Sequence, residues 1–216
     1  MKIYNCTQGS DEWQRLRLGK PTASQFHRII TAKKRDMAEG RHSYRAELLA
    51  ELIIGEPLDA AGVAALEHGK QWEPAARAAY EFDREVTAQL VGFCTTDDGL
   101  VGASPDALVG DDGLLEIKCP FKPAVHVAHM LNNRTLVDAH YPQVQGQLYV
   151  TARKWCDLVS YHLGMPMVCV RVDADEEYQS ALAIGLKLFC AELADSIGRA
   201  KNAGWIAKER VTHEEN

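Results

Sequence analysis

Two apolar runs joined by a tight turn constrain the fold more than any other feature. Residues 100–109 and 114–119 flank Gly110-Asp111-Asp112-Gly113, and Asp-Gly pairs supply the positive φ that short hairpin turns require. The second run, Leu114-Leu115-Glu116-Ile117-Lys118-Cys119, is apolar enough for a strand covered on both sides, and it stops at Pro120. Side chains alternate along a strand, so Glu116 and Lys118 share a face. Pairing across the turn brings Asp106 back to Glu116. Two carboxylates converging there, with the main-chain carbonyl of Ile117, make an oxygen-rich site suited to Mg²⁺ or Mn²⁺. Lys118 beside them can orient or deprotonate a water and offset phosphate charge, which suits phosphodiester hydrolysis. The same Glu-x-Lys spacing also occurs on exposed sheets as a solvated ion pair worth little. The apolar surroundings argue against that alternative, because a buried charge pair is costly.

Around this hairpin the chain alternates between helical and strand patterns. Ser10 caps a predicted helix through Leu18, and Thr22 or Ser24 a second one carrying Phe26, Ile29 and Ile30. Lys33-Lys34-Arg35 up to Gly40 reads as a basic loop, and Ser43 opens a helix that runs to Gly55. Alanine-rich residues 61–82 read as helix, bent or restarted near Pro74. Strands are predicted over 86–94, 100–109, 114–119, 155–162 and 167–172. Helices are predicted over 122–133 and 141–152, with a long one beginning at 173–175. His126 and His129 have helical i, i+3 spacing and are expected to be partly exposed. The resulting class is α/β with α+β character, a central mixed β-sheet flanked by helices. A chain of 216 residues, 46% hydrophobic, is expected to form a single domain over 1–216.

Composition excludes several functions. The six cysteines form no C-x-x-C pair, and no Gly-rich phosphate loop occurs, so zinc, iron–sulfur and nucleotide-hydrolysing classes fall away. No apolar run approaches the roughly 18 residues of a membrane span, and the N-terminus shows no secretory pattern, so a cytoplasmic location is expected. The net charge is −6, but residues 1–50 hold ten Lys or Arg against five Asp or Glu, while the remainder holds fourteen against twenty-five. A polyanion would be met mainly by the N-terminal quarter.

Ser104-Pro105-Asp106 followed by Glu116-Ile117-Lys118 resembles the PD-(D/E)XK nuclease signature, implying a restriction-endonuclease-like core. Three further blocks sharpen the likeness: Trp13-Gln14-Arg15-Leu16-Arg17-Leu18-Gly19 with Thr22-Ala23-Ser24, Gly69-Lys70-Gln71-Trp72-Glu73, and Gln143-Val144-Gln145. In this order they resemble the phage lambda exonuclease and YqaJ-like viral recombinase family, from about residue 8 to the strand after Trp155. The resemblance implies Asp106, Glu116 and the Ile117 carbonyl as metal ligands, with Lys118 as the catalytic lysine. Glu73 would contribute to a second of two ions, and Gln143 would be the active-site glutamine. It also implies a 5′-phosphate pocket from Arg17, Ser24 and Ser104; Lys33, Lys34 and Arg35 then read as a flexible basic loop meeting the duplex backbone or minor groove, or else as a solvated charge run. The implied function is Mg²⁺-dependent degradation of one strand of duplex DNA in the 5′ to 3′ direction. It would release mononucleotides and leave 3′ tails for a single-strand annealing protein, in a phage or prophage setting, from a homotrimeric ring. A structure-specific or restriction-type endonuclease, or a non-catalytic DNA-binding or assembly protein of the same fold, are the competing readings.

Overall fold

The computed structural model describes residues 1–58 and 63–206. The chain begins with β1 (Lys2–Tyr4), α1 (Asp11–Arg17) and a short 3-10 helix (Ala23–Arg28). Two longer helices follow, α2 (Arg41–Ile54) and α3 (Val63–Arg84). Strands β2 (Ala88–Leu90), β3 (Phe93–Thr95), β4 (Gly102–Ala103), β5 (Ala107–Val109) and β6 (Gly113–Lys118) form the middle of the chain. Helices α4 (Pro123–Leu131) and α5 (Arg134–Thr151), strands β7 (Trp155–Ser160) and β8 (Val168–Asp173), and the long α6 (Glu176–Asn202) complete it. No helix of the described residues is long and apolar enough to cross a membrane.

The predicted mixed sheet is present with five strands in the order β2-β5-β6-β7-β8. All its neighbours are antiparallel except β6 and β7, whose parallel pairing is allowed by the α4–α5 crossover between them. Alternation along β6 divides the core. Leu114 packs with Cys156 and Leu158 on the face that meets α5, α6 and the 3-10 helix. Leu115, Ile117 and Val159 pack with Ala76 and Tyr80 of α3 on the other. Gly146 lets α5 lie against the 3-10 helix, since a Cβ there would stand 2.5 Å from the Phe26 ring.

Several elements differ from the sequence reading. The predicted strands over 86–94 and 100–109 each break in two, and β3 and β4 join β1 in a separate three-stranded antiparallel sheet. The second break falls at Ser104-Pro105-Asp106, where Pro105 lacks the N–H a ladder needs. Helix α2 starts at Arg41, and the Ser43 hydroxyl bonds back to the Gly40 carbonyl at 3.0 Å instead of capping. Helix α3 continues through Pro74, and the expected start at residue 61 lies outside the described residues. Helix α5 begins seven residues before residue 141 and carries Pro142 in its interior. His126 and His129 are buried, not exposed: both Nδ1 atoms meet the Ser160 hydroxyl, at 2.8 and 2.9 Å, because α4 packs over the end of β7.

Candidate active site

The hairpin sets the distance between the carboxylates. Ala107 pairs with Leu115, so Asp106, one residue earlier, stands opposite Glu116. Its backbone N–H donates to the Leu115 carbonyl at 3.2 Å, and its Oδ2 accepts from the Ile117 N–H at 2.5 Å. The Lys118 carbonyl accepts from Tyr161 of the β7 side at 2.9 Å. Alternate residues of a parallel strand bond to the same neighbour, so both peptide groups of Ile117 face the opposite edge. The Ile117 carbonyl therefore lies on the Asp106 side, past the end of β5.

Glu116 is 3% exposed, and two helix residues and a lysine hold it. Its Oε1 accepts from Lys118 Nζ at 2.7 Å and from Gln143 Nε2 at 2.6 Å, and its Oε2 accepts from Gln147 Nε2 at 2.7 Å. Lys118 also donates to Gln143 Oε1 at 3.1 Å. Gln143 and Gln147 are one helical turn apart on α5, so both reach the same carboxylate. Glu73, on α3, is half-buried and forms an i, i+4 ion pair with Arg77 at 3.6 Å.

The electrostatics show these groups sensing one another. Burial pushes the Asp106 carboxyl well above its usual range, and Glu116 and then Glu73 push it further. Burial also raises Glu73, against Arg77, with Glu116 adding to the rise. Burial disfavours the Lys118 ammonium, but Glu116 and Asp106 more than offset this, and its pKa lies above the usual lysine value. Burial, aided by Lys118 and His129, takes His140 down to about 3, so it brings no positive charge. Three carboxylates thus face one ammonium.

That donor set fits a hard divalent cation. Every candidate ligand is an oxygen, and the surplus negative charge is what such an ion neutralises. As placed, no three His, Cys, Asp or Glu side chains among the described residues stand close enough together to hold one, and the two glutamines and Lys118 occupy the Glu116 oxygens.

Arg17, at the end of α1, lies at the other end of the same cavity. Its guanidinium stacks 4.1 Å from the Trp13 ring centroid, donates to Ser104 Oγ at 3.3 Å and reaches Thr22 Oγ1 at 3.5 Å. Trp13 Nε1 donates to the same Ser104 hydroxyl at 2.9 Å. Ser24 is joined through Thr22, hydroxyl to hydroxyl at 3.5 Å. No carboxylate among the described residues pairs with Arg17, and burial lowers its pKa. A cavity of about 180 Å³ is lined by Trp13, Arg17, Ser24, Ser104, Asp106, Glu116, Gln143 and Gln147 among others.

The basic loop is only partly available. Lys33 and Lys34 are exposed, but Arg35, at a left-handed φ of 58°, pairs with Glu177 and with Asp175 at 3.3 Å. In this arrangement Arg35, itself exposed, ties the loop to the N-terminus of α6. The sequence reading also passed over Gln147, whose signal was its i, i+4 spacing from Gln143. Nothing in the local sequence pattern marks the bond of Trp13 to Ser104.

Such a hairpin of carboxylates and lysine, clamped by a helix and open to an arginine pocket, belongs to a nuclease-type fold, and comparison with known proteins agrees. Residues 12–154 match the model of the YqaJ-like viral recombinase domain, and the chain belongs to that family. The alkaline exonuclease LHK-Exo from Laribacter hongkongensis is 33% identical, with a TM-score of 0.79 over 90% of this chain and 98% of that one. A second structure of it, in complex with dAMP, aligns equally well. A phage-related exonuclease from Haemophilus somnus 129PT, 13% identical, has a TM-score of 0.68 over 83% of this chain and 96% of that one, a likeness of fold. Comparison with curated protein sequences gives no match.

Proposed function

We propose that the chain is a Mg²⁺-dependent exonuclease that degrades the 5′-ended strand of linear duplex DNA in the 5′ to 3′ direction. It releases 5′-mononucleotides and leaves 3′ single-stranded tails for a strand-annealing protein in phage-type recombination. The observation that carries this reading is one cavity joining the Arg17 guanidinium, which pairs with no carboxylate among the described residues, to Asp106, Glu116 and Gln143. A terminal phosphate carries more charge than an internal diester, and a guanidinium fork with hydroxyl neighbours rewards that difference. The 5′-terminal phosphate occupies the Arg17, Ser24 and Ser104 end while the next phosphodiester meets the carboxylates. The dAMP bound by the Laribacter enzyme is of the proposed product class.

Asp106, Glu116 and the Ile117 carbonyl would hold Mg²⁺ or Mn²⁺, and Glu73 would add to a second ion. Bound there, such ions supply Lewis-acid activation of the phosphate and of water. Lys118, kept protonated by its carboxylate neighbours, donates to a phosphate oxygen or orients the attacking water. Gln143 holds Lys118 and Glu116 in register through both ends of its amide. Glu116 would hold a cation through Oε1 once the hydrogen bonds of Lys118 and Gln143 to that oxygen give way.

A homotrimeric ring is consistent with the acidic remainder of the chain, since a ring stays on DNA by enclosure and needs no broadly cationic exterior. Sedimentation at micromolar concentration tests this, and a monomer that digests long duplex processively would refute it. The activity is tested with linear and intact circular duplex in Mg²⁺, comparing wild type with Asp106→Ala and Lys118→Ala. Release of nucleotides from linear DNA by wild type alone supports the reading. Cleavage of the circle would favour an endonuclease, and equal release by all three proteins would refute the assignment.

A further inference from the structure

We infer that Gln147, and not Gln143 alone, positions Glu116 for its cation. This rests on the nuclease reading above and adds a residue to it. The Gln147 side chain is 1% exposed. Its amide N–H₂ donates to Glu116 Oε2 at 2.7 Å, the oxygen that Gln143 and Lys118 leave. The amide orientation follows from chemistry: turned the other way, its carbonyl would face a carboxylate oxygen that can only accept. That choice leaves Gln147 Oε1 buried and without a donor among the described residues.

An acceptor buried without a donor costs stability, typically about 1–3 kcal/mol. A side chain kept for packing would not sit so; an apolar residue of similar shape would fill the same space without the orphan. Gln147 also lines the cavity between Arg17 and Glu116. The N–H₂ end holds Glu116 through the oxygen opposite the Gln143 contact, so the carboxylate keeps its direction when Gln143 lets go. The carbonyl end is the acceptor left for water that enters the cavity with a cation or a phosphate.

Gln147→Met separates packing from ligand positioning. It strips a charge-assisted bond from the buried Glu116 carboxylate, which outweighs the removed orphan acceptor, so the metal-free melting temperature in EDTA falls by about 3–6 °C. Losing the group that orients a ligand weakens cation binding about 10–100-fold. Calorimetric titration with Mg²⁺ alone reads that directly, without DNA or turnover. Gln147→Leu repeats the test should the methionine variant fold poorly.

A variant that stays folded with a fall of about 3–6 °C in EDTA, together with the 10–100-fold loss of Mg²⁺ affinity, supports the inference. Unchanged Mg²⁺ affinity would overturn it and leave the nuclease reading standing. A fall of more than about 10 °C for both variants would overturn it in favour of a packing role. A wild-type protein that binds no Mg²⁺ and digests no DNA would remove the nuclease reading, and the inference with it.

Discussion

Arg17→Met should abolish the preference for a 5′-phosphate while leaving the fold intact. In the structure the guanidinium is half-buried and faces no carboxylate among the described residues; its bonds to Ser104 and Thr22, at 3.3 and 3.5 Å, are long, and its closest support is the Trp13 ring at 4.1 Å. Stacking of this kind contributes about 0.5–2 kcal/mol. Against it stands the cost of burying the charge, which already lowers the Arg17 pKa. The two nearly cancel, so stability should change by no more than about 1 kcal/mol, some 2–4 °C for a chain of this size.

The effect on end recognition is larger. A phosphate seated on the guanidinium fork would take two charge-assisted hydrogen bonds, each worth about 1.5–3 kcal/mol and not additive. Losing both costs about 3 kcal/mol, or about 100-fold in kcat/KM for a phosphorylated end at ~1.4 kcal/mol per tenfold. The assay compares matched linear duplexes with 5′-phosphate and 5′-hydroxyl ends. Wild type should favour the first, and the variant should bring the ratio close to one by losing rate on the phosphorylated substrate only. A variant that keeps the wild-type ratio would refute the pocket assignment. Unfolding by 3 kcal/mol or more would refute the energetic balance drawn here.

Arg171→Met should destabilise the protein by about 3 kcal/mol, because it strips two 2.9 Å bonds from Asp157, which is 3% exposed and among the described residues keeps only the Tyr80 hydroxyl; this is the low end for breaking a buried pair, since Arg171 is itself half exposed. Thermal melts should show a fall of about 6–12 °C. Asp175 caps α6 by accepting from the Tyr178 N–H at 2.9 Å, and its carboxyl lies below the usual range, first through the Tyr141 hydroxyl and then through that backbone bond. A depressed folded pKa gives stability that is present above the unfolded value, near 3.9, and lost as pH falls through the folded one. Asp175→Ala should therefore cost about 1 kcal/mol at pH 7, and urea melts should show the gap to wild type closing below about pH 4.

The parts of the site that were legible in the sequence are those governed by local periodicity. The turn at 110–113 and the two-residue alternation of β6 put Asp106, Glu116 and Lys118 together, and β5 pairs with β6 in the register this requires. Periodicity says nothing about partners, however. It could not show that the strand pattern over 100–109 serves two sheets, nor that Arg35 spends its charge on Glu177 and Asp175. The histidines of α4 were misjudged for the same reason: their burial is set by Ser160, more than thirty residues away.

The break at Ser104-Pro105-Asp106 joins the two halves of the cavity. Ser104 faces Trp13 and Arg17, and Asp106, two residues on, faces Glu116 and Ile117. Had the strand continued unbroken, both side chains would have been held by a single ladder, on one face of one sheet. Because the chain leaves one sheet at Ala103 and enters the other at Ala107, three residues can serve an anion pocket at one end and a carboxylate pair at the other. The carbonyl of Pro105 is itself tied down by Gln8 Nε2 at 2.9 Å, and the same amide reaches the Val91 carbonyl at 2.9 Å. A side chain on the loop before α1 thus fastens both sheet-crossing segments at once. The spacing between the arginine pocket and the carboxylates is then a property of two fixed backbones, which the proposed removal of one nucleotide at a time from a strand end would require to stay constant.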